Sequence, residues 1–262
     1  MTFSLGPRAV SAGYRLTAFE STGSTNTEAV AHARAGECGP MWFVTSEQTA
    51  GRGRRNRAWI APRGNLASSI LEVIDVSPAV AATLGFAAGL ALEAALQKVS
   101  IEASLRAAGS EQMKFSLKWP NDVLAGRQKL AGILLEAEAV ADDRLAVVVG
   151  IGTNVVAAPE GTPTPATSLA ALGCSPPLPR EALLRLAANW AKWYDIWAEH
   201  GFSPIRDAWL ARAARLGARI RARLQSGETS GVFEGIDESG ALLLRESVGR
   251  VRAIPAGEVF FA

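Results

Sequence analysis

The residues best equipped for chemistry lie in one run, Gln48-Thr49-Ala50-Gly51-Arg52-Gly53-Arg54-Arg55-Asn56-Arg57. Glycines alternating with arginines let a backbone approach a ligand closely, while guanidinium groups grip phosphate or carboxylate through paired hydrogen bonds. It is not a Walker loop, because GxxxxGK[ST] is absent. Taken alone, the run reads equally well as a solvated basic loop or a nucleic-acid patch. A second segment, Lys118-Trp119-Pro120-Asn121-Asp122, sets a cation at a strand end before a rigid turn carrying an amide and a carboxylate. Lys129-Leu130-Ala131-Gly132-Ile133-Leu134-Leu135 then puts a second lysine ahead of an apolar strand. Two lysines on hairpin-like strands could converge on one anionic centre; the plain alternative is two exposed hairpin lysines. The third, Gly150-Ile151-Gly152-Thr153-Asn154-Val155, is either a glycine-kinked strand or backbone approaching a base or ribose. It fails as a dinucleotide fingerprint, since no GxGxxG leads into a helix.

The surrounding pattern predicts the scaffold. Helices are expected over residues 26–35, with Ser24 or Thr25 as N-cap and Gly36 as stop, over 78–99, and over 179–199. Strands are expected over 42–46, 67–74, 115–119, 132–138 and 145–150. Residues 100–114, with Glu102, Arg106 and Gly109, read as a polar excursion, and 159–165 as a Pro-rich loop. The tryptophans at 190, 193 and 197 fall at helical spacing and read as core. After about Ala213 the texture changes to short alternating runs, 219–224, 231–236, 241–245 and 250–254, separated by turn signals. That predicts a small β-barrel appended to an α/β domain.

Composition narrows the classes. In 262 residues, 48% are hydrophobic and 20% charged, enough for an ordinary core. A net charge of +2 is too small to read as a general nucleic-acid binder. The positive charge is local: residues 51–57 carry four arginines and no acid, and 206–224 carry six arginines against one aspartate. That suits small anions or an acidic partner. Cys38 and Cys174 show no metal-ligand spacing and point to a reducing compartment. The first residues lack an apolar secretory core, so a cytoplasmic location is expected. The 17 uncharged residues between Asp75 and Glu93 approach spanning length. They are rich in alanine and glycine, which predicts a buried helix whose Gly85 and Gly89 allow close packing on a sheet.

Read in order, Ser24-Thr25-Asn26, Gln48 to Arg57 with Trp59, KWPND, KLAGILLE and GIGTNV strongly resemble the biotin–protein ligases, from about residue 14 to the C-terminus. The resemblance implies an α+β fold: a mixed β-sheet catalytic domain flanked by helices (class II synthetase-like), residues 1–212, and an SH3-like β-barrel, residues 213–262. It implies that biotin and Mg-ATP give biotinyl-5′-adenylate, and that biotin then passes to a lysine of a carboxylase's biotin carboxyl carrier domain. Carried over by position, Ser24, Thr25, Asn26, Gln48, Gly51, Arg52, Gly53, Arg54, Lys129 and Gly132 resemble the biotin contacts. Arg52, Arg54, Arg57, Trp59, Lys118, Asn121 and Asn154 resemble the ATP and adenylate contacts. Lys129, Lys118 and Arg54 are the expected catalytic cations, and Asp122 the candidate magnesium ligand. No protein nucleophile is required, and His32 and His200 are expected to be surface or structural.

Asn56 departs from the family pattern, which often has glycine there. Only 23 residues precede Ser24, fewer than a winged-helix domain needs, so the class without a DNA-binding repressor domain is expected. Neither specific DNA nor a membrane is expected as a partner, and the oligomeric state is open. The nearest alternative is a lipoate or octanoate ligase, expected to lack GRGRR and the polar Ser24/Gln48 end. A non-enzymatic nucleic-acid binder would call for interleaved stacking aromatics, and only Trp59 lies near the arginines.

Overall fold

The computed structural model describes residues 2–106, 113–162, 164–174, 178–247 and 249–261. The chain runs α1 (Pro7–Ser11), β1 (Arg15–Phe19), α2 (Thr25–Arg34), β2 (Met41–Thr45), β3 (Leu66–Ile74), α3 (Pro78–Ala82) and α4 (Leu84–Arg106). It continues through β4 (Phe115–Lys118), β5 (Asp122–Ala125), β6 (Gln128–Ala139), β7 (Leu145–Thr153), α5 (Pro179–His200) and α6 (Phe202–Leu210). The C-terminal strands are β8 (Arg219–Leu224), β9 (Gly227–Ile236), β10 (Leu242–Arg245), β11 (Val251–Ile254) and β12 (Glu258–Phe261). A seven-stranded sheet in the order β1-β2-β3-β7-β6-β5-β4 is parallel only between β1 and β2, so it is mixed, as expected. The C-terminal strands form a five-stranded antiparallel sheet in the order β11-β10-β9-β8-β12.

Both faces of the large sheet are covered around β2 and β3, which is why Met41 to Thr45 reads as a continuous apolar run rather than an alternating one. Trp42, Val44, Ile70, Val147 and Val149 join the core under α4 and α5. Their neighbours Phe43, Leu71 and Val148 pack instead with Ala29 and Ala33 of α2. The tryptophan stripe is core: Trp190 and Trp197 are buried, and their N–H groups reach Glu72 and Tyr14, and Thr83, respectively.

The apolar run of membrane-spanning length is the buried central helix. Its glycines, however, do not create the close packing. A Cβ at Gly85 would meet nothing within 4 Å, and one at Gly89 would make only ordinary contacts from 3.6 Å. The helix is also divided: Thr83 separates α3 from α4, its hydroxyl donating to the Val80 carbonyl at 2.6 Å. Nor does α4 stop at Val99. Glu102 and Arg106 are helical and reach α5 through Arg185 (2.6 Å) and Glu181 (3.8 Å), which extends the helix into the expected excursion. Gly109, within residues 107–112, and position 163 of the Pro-rich loop lie outside the described residues. Strands β1, β5 and β12 and helix α6 are further elements that the pattern did not predict.

Candidate active site

Strand register assembles the site. In antiparallel pairing, directly opposed residues share a face of the sheet. One cross-strand row runs Ala67 on β3, Gly152 on β7, Gly132 on β6, Asp122 on β5 and Lys118 on β4. The next row toward α2 pairs Ser69 with Gly150 and Gly150 with Leu134. Ala67, Gly132, Gly150 and Gly152 of these rows floor a pocket roofed by the Gln48–Trp59 segment, with Gly257 to Val259 of β12 and its approach as one wall. The two halves of the chain therefore build a single site.

The glycines are required here by close approach. The Trp59 indole lies on Gly152, where a Cβ would overlap the ring, and also meets Gly132. Lys129 stacks over that indole with Nζ 5.4 Å from the ring centre, and its Nζ lies 2.6 Å from Asp122 Oδ1. Gly51 is packed against the Trp59 carbonyl and Gln48, so a side chain there would collide with both. Arg55 and Asn56 both have φ of 57°. Asparagine tolerates that left-handed conformation better than most residues, which accounts for its replacing glycine at position 56.

The two lysines do converge. Lys118 is 6% exposed, with Nζ 5.9 and 5.5 Å from the Phe260 and Phe261 rings. Burial pushes its ammonium down from the usual lysine range and Lys129 adds repulsion, while Asp122 and Glu258 oppose that fall. Burial, then Arg55, also lowers Arg54, whose Nη1 donates to Asn121 Oδ1 at 3.2 Å. Asn121 is itself held by its Nδ2 donating to the Ile133 carbonyl at 2.6 Å. A partly buried cation cluster of this kind is stabilised by bringing in an anion.

At the α2 end lies a closed polar network. Gln48 Oε1 accepts from the Thr25 backbone N–H at 2.9 Å. Ser69 Oγ lies 2.7 Å from Thr25 Oγ1 and 2.6 Å from Asn26 Oδ1. Asn26 Nδ2 donates to Glu136 Oε2 at 2.7 Å, and Arg52 donates to the same oxygen at 2.9 Å. Ser24 occupies the N-cap position of α2 without a side-chain cap bond, and it lines the pocket. At the opposite end Asn154 Nδ2 donates to the Thr167 carbonyl at 3.0 Å. Its Oδ1, like Trp59 Nε1, is buried without a protein partner.

Every residue carried over by resemblance lines this pocket except Gly51, which holds the roof in place. Arg57 stands apart in its contacts, because β12 already holds it: Glu258 accepts from it at 2.8 and 3.0 Å. That pairing, with burial opposing it, draws the Glu258 carboxyl below its usual range. Ser69, Glu136 and Glu258 are residues of the site's polar contacts to which motif reading gave no role, although Glu136 closes the KLAGILLE run. Each lies in an ordinary strand sequence and is recruited by register or by the second sheet. Outside the site, His32 Nδ1 bonds within α2 to the Glu28 carbonyl at 2.9 Å, and His200 is exposed, as expected. No group of three His, Cys, Asp or Glu side chains suited to a metal occurs among the described residues.

Comparison with known proteins identifies the class to which this sheet, pocket and appended β-sheet belong. The chain belongs to the biotin/lipoate A/B protein ligase family, whose model matches residues 18–154, and residues 216–262 match the biotin protein ligase C-terminal domain. It is 44% identical to a biotin–[acetyl-CoA-carboxylase] ligase of Paracoccus denitrificans over 92% of this chain and 98% of that protein. It is 34% identical to the Mycobacterium tuberculosis ligase of the same name, over 91% and 85%. Among solved structures, the Aquifex aeolicus biotin protein ligase in complex with biotin and ATP superposes with a TM-score of 0.74 at 26% identity, covering 94% of this chain and 97% of that one.

Proposed function

We propose that this chain joins biotin to ATP, forming biotinyl-5′-adenylate and releasing pyrophosphate, and then transfers the biotinyl group to a carrier-domain lysine of a carboxylase. The observation that carries this reading is the convergence of Lys118 and Lys129 beside a closed polar network, with a buried acceptor at the far end. In the first step a biotin carboxylate oxygen attacks the α-phosphorus and pyrophosphate leaves. Two anions must meet, so cations already in place lower the barrier most. Lys129 neutralises the carboxylate, while Lys118 and Arg54 hold phosphate charge. In the second step the acceptor amine, after losing a proton, attacks the acyl carbon and AMP leaves.

Ser24, Thr25, Asn26 and Gln48 take the ureido end of biotin, and Gly51 to Arg54 with Gly132 cover its carboxylate. Asn121, Arg57, Trp59 and Asn154 serve the nucleotide. The unpartnered Asn154 Oδ1 suits an exocyclic amine such as that of adenine. Asp122 Oδ1 is engaged by Lys129 at 2.6 Å, which leaves Oδ2 as the carboxylate oxygen that would hold magnesium, with phosphate and water supplying the other ligands. When bound, it would withdraw charge from the leaving pyrophosphate. We place the enzyme in the cytoplasm, divide it at residues 212/213, and assign it no specific DNA or membrane partner. The decisive experiment is biotin-dependent ATP–pyrophosphate exchange with lipoate and octanoate as controls. Exchange with biotin alone supports the reading; exchange with lipoate or octanoate instead replaces it with the acyl-ligase alternative.

A further inference from the structure

We propose that Glu136 is a positioning residue that sets the donor–acceptor polarity of the biotin pocket through a relay of three side chains. The inference rests on the biotin-ligase reading above. A carboxylate can only accept hydrogen bonds. Glu136 Oε2, 2.7 Å from the Asn26 amide, therefore turns the Nδ2 of that amide toward itself. The amide is confined in this plane, since it lies against Gly150, where any side chain would overlap it. Asn26 Oδ1 must then face Ser69, and Ser69 must donate its only proton to it across 2.6 Å. The 2.7 Å contact between Ser69 and Thr25 hydroxyls still needs a proton, and Thr25 supplies it there in preference to its longer 3.3 Å contact with Gln48 Oε1. Thr25 thus points its hydroxyl proton inward and leaves its lone pairs to accept from a ligand.

Gln48 complements this arrangement. Its Oε1 is taken by the Thr25 backbone N–H at 2.9 Å, which leaves Nε2 as the donor end. One acceptor beside one donor matches the N–H and C=O of a ureido group. A neutral residue at position 136 would remove the stronger of two constraints, leaving only the longer 3.4 Å bond from Asn26 Nδ2 to the Leu134 carbonyl, because a Gln side chain can donate as well as accept and the Asn26 amide could then turn over. Arg52, which donates to the same Glu136 oxygen at 2.9 Å, carries the relay to the arginine-rich roof.

The test uses the full chain with Glu136→Gln, Thr25→Val and the double variant, measuring KM for biotin and for ATP in pyrophosphate exchange. Glu136→Gln should raise KM for biotin about 10-fold and leave KM for ATP within about twofold. In the Thr25→Val background, which lacks the hydroxyl being oriented, it should add less than about twofold. Full additivity, an unchanged biotin KM, or both KM values moving together with a lowered melting temperature overturns the relay. Absence of biotin-dependent exchange in the unaltered protein overturns the function and the relay alike, so the two failures are told apart.

Discussion

The two ends of the pocket are built on opposite principles. At the α2 end, Gln48, Thr25, Ser69, Asn26, Glu136 and Arg52 answer one another across two strands and a helix. At the other end Asn154 Oδ1 and Trp59 Nε1 are buried with no protein partner, and Lys118 is a buried cation. A satisfied network holds its geometry before the ligand arrives, which reduces the ordering that binding must do. Each unsatisfied buried group instead destabilises the free protein by about 1–3 kcal/mol, and a polar ligand recovers that energy on entry. Under the proposed assignment, the α2 end is preorganised for a small neutral headgroup, and the Asn154 end is completed by its substrate.

Lys129→Ala tests the point where the two ends meet. Removing one preorganised charge from a developing anion typically lowers rate by about 10²–10³, so pyrophosphate exchange should fall by that factor while circular dichroism stays native. A wild-type rate would show that the lysine does not serve the reaction.

A third polar cluster provides the contrast, because it lies on the other face of the sheet. Glu72 is 4% exposed under α5 and accepts from Tyr14 at 2.6 Å and Trp190 at 3.1 Å. Burial raises its carboxyl from 4.5 to about 7. The folded state therefore binds the proton more tightly than the unfolded chain. Stability should fall by about 3 kcal/mol as pH rises from about 4.5 to about 7 and stay low above that. Glu72→Gln should flatten this slope in urea titrations at several pH values and leave both KM values unchanged. A slope that survives the substitution would assign it to another group.

Asn154→Ala should raise KM for ATP about 10-fold with KM for biotin unmoved. If both rise together, the two ends are one cooperative unit and the comparison fails. The smallest effect belongs to the Arg57–Glu258 pair, half exposed on the arginine side. Such pairs are worth about 0.2–1 kcal/mol, so Glu258→Gln should quicken adenylate release by less than about fivefold, and added salt should reduce the difference. A larger loss would give β12 a direct hold on the nucleotide.

Local sequence was enough for the parts that local physics controls. Helix α2, strands β2 and β3 and strand β8 fall within a residue of their predicted limits, because apolar period, caps and turn residues act over a few positions. The GRGRR, KWPND and KLAGI segments named most of the pocket through their types and order. What they gave no role to are Ser69, Glu258 and Glu136, the last residue of KLAGILLE. A serine or glutamate in an apolar strand looks like any exposed polar position until its cross-strand neighbour is known. Register decides that neighbour, and a slip of one residue would turn Gly132, Gly152 and Asp122 away from one another. The same holds for Arg57, a loop arginine by sequence, whose partner arrives from a strand 201 positions away. Chemistry types are written residue by residue, whereas the distances that let them act exist only once both sheets have closed on each other.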